Sequence, residues 1–138
     1  MTQGELIHER LTHSVIGAFF EVHNVLGFGF LEPVYLDALT VELRARRHVV
    51  AREVRVPVRY KDAEIGWQRL DMIVDNILVV EVKSTAELHS SARRQLQNYL
   101  CATRLPIGLL LHFGPKASFS RLVANHYGRG GDVAAGES

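Results

Sequence analysis

The stretch from Leu70 to Lys83 constrains this chain more than any other. It holds two apolar runs that read as strands, joined at Asp75-Asn76, with Asp71, Glu81 and Lys83 set into them. The second run, Ile77 to Lys83, is almost unbroken in its apolar character, and a strand of that kind needs cover on both faces of its sheet. It is therefore predicted to lie inside a sheet with helices on either side. A charge in so dry a place is costly unless a partner or cation compensates it, so these three side chains are the first candidates for function.

The flanking segments supply the cover. Apolar residues recur at Ile7, Leu11, Val15, Phe19, Val22 and Leu26, a spacing of three or four that predicts a helix from Leu6 to Leu26, ended by Gly27 and Gly29. A second helix is expected over Leu31 to Arg47, with Pro33 in its first turn and Tyr35, Leu36, Leu39 and Leu43 on one face. Val54, Val56, Val58 and Tyr60 alternate with polar positions and Pro57, the pattern of a half-solvated strand near a sheet edge, and Lys61 to Glu64 makes a turn. Strands then follow over Gly66 to Val74 and Ile77 to Lys83, a helix over Ala86 to Thr103, and a strand over Ile107 to Phe113 between Pro106 and Gly114-Pro115. Phe119 to Asn125 adds an edge strand.

The predicted fold class is thus α/β: a mixed sheet flanked by helices, in the order helix, helix, three strands, helix, strand. With 138 residues and 47% hydrophobic content the chain suffices for one domain, placed at residues 1–127, and the glycine-rich stretch 128–138 reads as a flexible tail. A single cysteine, Cys101, excludes an internal disulfide framework and a cysteine-rich metal site, and suits a reducing cytoplasm. No apolar run approaches the ~20 residues needed to span a bilayer, so no membrane role is expected. Net charge is +1, so contact with phosphates must come from local patches.

Residues two apart on a strand share a face, about 6 to 7 Å apart, so Glu81 and Lys83 project together. Whether Asp71 joins them depends on the hairpin register. A two-residue loop pairs Asp71 with Val80; a three-residue loop, Asp75 to Ile77, pairs it with Glu81, and the odd-length loop or an equivalent bulge is predicted. Two carboxylates side by side repel unless they share a cation, which makes a hard oxygen site suited to Mg²⁺ or Mn²⁺. A metal there lowers the pKa of bound water, while Lys83 orients that water or stabilises developing charge, the parts that phosphodiester hydrolysis requires. The plainer account of Glu81 and Lys83 is a surface ion pair on an edge strand.

Other motifs lack support. His8 and His13 are five apart, not the four of a helical zinc pair, and no phosphate-binding or serine-hydrolase signature is present. His23 and His89 read as ordinary helix histidines. Arg44, Arg46, Arg47, Arg93 and Arg94 could meet a phosphate backbone, although charge runs on helices are usually solvated faces.

Gly29-Phe30-Leu31-Glu32-Pro33-Val34-Tyr35 resembles the signature of the small bacterial GxxExxY proteins, and Asp71, Glu81-Val82-Lys83 and Gln95-Leu96-Gln97-Asn98-Tyr99 follow in that family's order. The resemblance spans about Leu6 to Gly114. This family is placed in the PD-(D/E)XK nuclease superfamily, which implies a restriction-endonuclease-like fold and metal-dependent cleavage of nucleic acid. It implies that Glu32, Asp71 and Glu81 are metal-site acids, with the Val82 carbonyl a further ligand, and that Lys83 is the catalytic lysine. It further implies that Gln95 and Tyr99 help position the metal, the lysine or the DNA. Read from residues alone, Glu32 is an acid favoured by a helix dipole and Tyr99 a core aromatic with its hydroxyl at the rim. Gln95 and Tyr99, four apart on one helix, share a face beside the stripe Ala92, Leu96, Leu100 and Thr103.

The function expected is a Mg²⁺- or Mn²⁺-dependent nuclease acting on nucleic acid, DNA first, with assembly as a homodimer left open. The alternatives are a catalytically silent nucleic-acid- or protein-binding module on the same fold, and a structural interaction protein without a metal site.

Overall fold

The three-and-four spacing near the start of the chain brings Val15, Phe19 and Val22 to the buried side of helix α1 (Glu9–Leu26), and Tyr35, Leu36, Leu39 and Leu43 to that of α2 (Glu32–Ala45). The chain continues through β1 (Val50–Tyr60), β2 (Ala63–Val74), β3 (Leu78–Lys83), α3 (Ala92–Thr103), β4 (Ile107–Phe113) and β5 (Ala117–Val123). This computed structural model describes residues 8–125. The expected first turn of α1 at Leu6 and Ile7, and the tail 128–138, lie outside the described residues.

The five strands form one sheet in the order β1-β2-β3-β4-β5. Neighbours are antiparallel except β3 and β4, which are parallel and joined by the α3 crossover, as parallel strands require. Helices α1 and α2 cover one face through a core that includes Phe19, Tyr35, Leu39, Val80 and Phe113. Helix α3 covers the other, with Leu96 and Leu100 against Val79 and Leu110. Strand β3 is buried on both faces, as its apolar run predicts. The mixed, helix-flanked α/β sheet expected from the sequence is the one observed.

Several boundaries move. Strand β1 begins at Val50 rather than Val54, because Val50 to Arg52 pair with Val74 to Met72. The turn after β1 is only Lys61-Asp62, so β2 starts at Ala63 rather than Gly66. Helix α2 ends at Ala45, two residues early, since Arg47 turns left-handed at φ 72°. The third helix starts at Ala92, not Ala86. His89 Nδ1 takes the N–H of Ser91 at 3.1 Å and bonds its hydroxyl at 2.8 Å, so side chains hold a turn where a helix was expected. Strand β5 is present but shifted two residues towards the N-terminus.

Alternation reverses midway along β1 and β2. Arg52 projects towards α2, donating from Nη1 to Asp37 Oδ1 and Thr40 Oγ1, both at 3.1 Å, whereas Val54 and Val56 lie with the α3 core. Met72 and Val74 belong to the α1/α2 core, and Leu70 to the α3 core. Since Arg52 pairs with Met72 and Val54 with Leu70, Glu53 and Asp71 stand at the reversal, and Glu53 adopts a left-handed φ of 52°. That conformation costs roughly 1–2 kcal/mol in a residue with a Cβ. Beyond it, Val54 to Leu70 form a two-stranded arm.

The β2–β3 connection fixes register. Val74 pairs with Leu78 across Asp75, Asn76 and Ile77, the odd-length loop expected. Asp75 and Asn76 both take left-handed φ values, 54° and 57°, which short polar side chains tolerate. Asp75 accepts the Val49 N–H at 2.7 Å and bonds His48 Nδ1 at 2.8 Å, while His48 Nε2 is 2.8 Å from Ser14 Oγ on α1. Partial burial works against ionisation of Asp75, but those bonds outweigh it and hold its carboxyl below the usual range.

Candidate active site

Regular β2–β3 pairing stops at Met72 and Val80. One residue further, where Asp71 stands across from Glu81, the side chains take over the ladder. The Asp71 N–H donates to Glu81 Oε2 at 2.9 Å, and the Val82 N–H donates to Asp71 Oδ2 at 2.8 Å. Each acid thus satisfies a backbone donor exposed where the strands part, and the two carboxylates lie side by side in the gap.

Glu81 is 4% exposed. Burial, then the neighbouring Asp71 charge, pushes its carboxyl up to about 8, against the Asp71 N–H and Lys83, which favour the charged form. Burial also raises the Asp71 carboxyl, opposed by the Val82 N–H, Lys83, Arg52 and a hydrogen bond with Glu81. A buried acid and a half-buried one that cannot both ionise cheaply hold one proton between them near neutral pH, or share a cation.

Lys83 follows Glu81 by two on the same face of β3, and its Nζ donates to Gln95 Oε1 on α3 at 3.3 Å. Tyr99, one turn beyond Gln95, is 6% exposed, and its hydroxyl donates to Gln68 Oε1 on β2 at 3.5 Å. Burial and the charges of Glu81 and Asp71 raise the Tyr99 hydroxyl pKa, so this ring borders the acid pair.

Glu32 enters from the other side of the sheet, at the start of α2. Its carboxyl is raised by burial and by Asp71, and lowered by Lys83 and by a hydrogen bond from the Ser84 backbone. The signature around it has a structural logic. Gly29 sits at φ 120°, a conformation open to glycine, and the buried Tyr35 hydroxyl donates to the Gly27 carbonyl and accepts the Phe30 N–H at 3.3 Å. The Tyr35 ring stacks on Phe113, with centroids 4.2 Å apart. Gly29 and Tyr35 therefore hold the loop that delivers Glu32.

Glu32, Asp71, Glu81, Lys83, Gln95 and Tyr99 thus form one linked set of hydrogen bonds and charge interactions. The acids are a tight pair plus a third at electrostatic range: among the described residues no three His, Cys, Asp or Glu side chains form a ready metal cage. The PD-(D/E)XK nuclease superfamily model matches residues 9–122. The chain belongs to the PD-(D/E)XK nuclease superfamily. No curated protein and no solved structure matches it significantly. A nuclease-like function follows from that membership, as does a nucleic-acid substrate class. No helix among the described residues is long and apolar enough to cross a membrane.

Glu32, Asp71, Glu81 and Lys83, which the structure brings into one neighbourhood, were singled out in the sequence, but three of their neighbours were not. Arg52 acts on Asp71 through space while anchored to α2, Gln68 receives the Tyr99 hydroxyl, and Ser84 serves Glu32 through its backbone. Only Arg52 left a trace: an arginine two residues after Val50, at a core-facing position that an apolar residue normally fills. Of the arginines considered from sequence, Arg44 donates to the Val50 carbonyl, Arg46 to Glu42 and the Ser14 carbonyl, and Arg93 to Ser120, all away from the acid pair.

Proposed function

We propose that this protein, as a GxxExxY-type member of its superfamily, is a metal-dependent nuclease that hydrolyses phosphodiester bonds in nucleic acid, DNA foremost. The observation that carries the reading is the pairing of buried Glu81 with half-buried Asp71, with Lys83 on the same strand face as Glu81. Its donor set is hard oxygen, and its raised carboxyl pKa values mark a place where a divalent cation relieves repulsion. Asp71 and Glu81 would hold Mg²⁺ or Mn²⁺, joined by Glu32 and the Val82 carbonyl. When bound, such an ion supplies acidified water and neutralises phosphate charge.

The chain's own residues do the rest. Lys83 donates to the attacking water or to the oxygen on which charge develops. Gln95 fixes the lysine's direction through the 3.3 Å bond from Nζ. Tyr99 presents its hydroxyl at the rim, where Gln68 orients it towards the substrate. We place the protein in the cytoplasm, where exposed Cys101 stays reduced. A homodimer would bury the exposed apolar side chains of Phe28, Phe30 and Leu31.

The test is cleavage of single- and double-stranded substrates with Mg²⁺ or Mn²⁺ by the wild type, Asp71→Asn and Lys83→Ala. Loss of about 10²-fold or more in each variant is expected; full activity in both would remove the assigned roles. The absence of a three-ligand cage among the described residues favours a second reading, a silent binding module. That reading predicts nucleic-acid or protein binding indifferent to Lys83→Ala and no turnover in the wild type.

A further inference from the structure

A groove of about 780 Å³ runs between the β1–β2 arm and α3. Its apolar floor is Val58 from the arm and Ala102 from α3, laid over Val56, which is itself buried in the core. Its edges carry Arg59, Arg94 and Arg104, and none of the described residues lining it is acidic. In a chain with 16 basic and 15 acidic residues, three guanidiniums around one groove are a marked local excess, the charge that a polyanion complements. Arg59 lies 3.9 Å from Glu64, but both side chains are more than half exposed, and a contact so solvated yields readily to a phosphate. Gln95 and Tyr99 line the same groove; Gln95 accepts from Lys83 and the Tyr99 hydroxyl feels the charges of Glu81 and Asp71, so the groove lies beside the acid pair.

The two kinds of surface ask different things of a ligand. Guanidiniums attract any phosphate backbone, whether paired or single. An apolar floor gains only from a ligand that lays apolar faces on it. In a duplex the base faces are stacked inside; in a single strand they are free, and every base has one to offer. Gln68 and Asn98, also lining the groove, add amides that can meet base edges as donors or acceptors.

We propose that this groove holds one unpaired nucleic-acid strand, with bases against Val58 and Ala102 and phosphates against Arg59, Arg94 and Arg104, and leads it towards Asp71 and Glu81. The proposal rests on the nuclease reading above and names its substrate as single-stranded.

Cys101 provides the probe. It is the chain's one cysteine, it is exposed, and it lines the groove. The full-length protein is titrated in EDTA with a short fluorescent oligothymidylate and with a duplex of the same length, and the alkylation rate of Cys101 is followed in each complex. The single strand should bind about tenfold or more tighter than the duplex and slow alkylation in proportion to occupancy. Replacing Arg94 and Arg104 together by Gln should weaken binding and lower the slope of log K against log salt by about 1.4, with an unchanged melting temperature. Equal or tighter duplex binding, or alkylation of a saturated complex at the free-protein rate, overturns the proposal. Because no metal is present, this outcome is separate from that of the cleavage assay: turnover can be absent while the strand still shields Cys101, and a duplex preference can appear while metal-dependent cleavage survives.

Discussion

Asp71 and Glu81 cap each other's strands: the Glu81 carboxylate takes the Asp71 N–H, and the Asp71 carboxylate takes the N–H of Val82, the residue after Glu81. The acids proposed for chemistry therefore also hold the fold together where the ladder opens. Asp71→Ala should leave the Val82 N–H without its acceptor and cost about 1–3 kcal/mol. Asp71→Asn keeps an acceptor oxygen and removes a repelling charge, so it should match or exceed the wild type without metal. Urea unfolding in EDTA compares the two, and equal stabilities would show that the Val82 bond matters little.

Raised carboxyl pKa values make the metal-free protein sensitive to alkali. Between the ordinary glutamate range and about 8, folded Glu81 keeps a proton that the unfolded chain has released. Its contribution is fully present below the unfolded value and is lost as pH rises through about 8, at up to about 1.4 kcal/mol per pH unit. Asp71, raised in the same direction, adds to the trend. Melting temperature in EDTA should fall from pH 5 to pH 8, Mg²⁺ or Mn²⁺ should restore much of it at pH 8, and Glu81→Gln should flatten the profile. A profile that rises over this interval would contradict a proton held by buried Glu81.

The loop before Glu32 depends on one hydroxyl. Tyr35→Phe removes the bond to the Gly27 carbonyl and the acceptor for the Phe30 N–H, while the stack on Phe113 remains. A loss of about 1–2 kcal/mol is expected, with a fall in activity beyond what the lost stability explains, because Glu32 is no longer held. Thermal melts paired with cleavage rates below the transition separate the two effects.

Helix α3 rests on a glycine. A Cβ at Gly108 on β4 would approach Leu96 Cδ1 to 3.0 Å. Gly108→Ala should therefore push α3 away from the sheet and cost about 1–3 kcal/mol. Gln95 and Tyr99 ride on that helix, so the Lys83–Gln95 bond should loosen as well. Amide exchange across residues 92–103, faster in the variant, would report the shift.

The order of elements was legible because periodicity is a local property: the stripes of α1 and α2 and the doubly buried β3 are written in consecutive residues. The β2–β3 loop length was legible too, since only an odd count sets Asp71 across from Glu81. What escaped prediction was non-local. The start of α3 was masked because His89 competes with the helix for Ser91, a contest invisible to spacing alone. The reversal at Glu53 and Asp71 could not be read either, because strict alternation assigns Val54 and Arg52 to one side of β1. At the site, Gln95 announced itself as an amide beside an apolar stripe, whereas Gln68 and Ser84 act through placement only.

The reversal at Glu53 leaves the arm from Val54 to Leu70 tied to the rest of the sheet by its base, while the paired acids sit at that base and not along the arm. Its tip, Lys61-Asp62, is thus a natural splice point. A peptide or reporter grafted there would extend the molecule outward without displacing a proposed catalytic carboxylate.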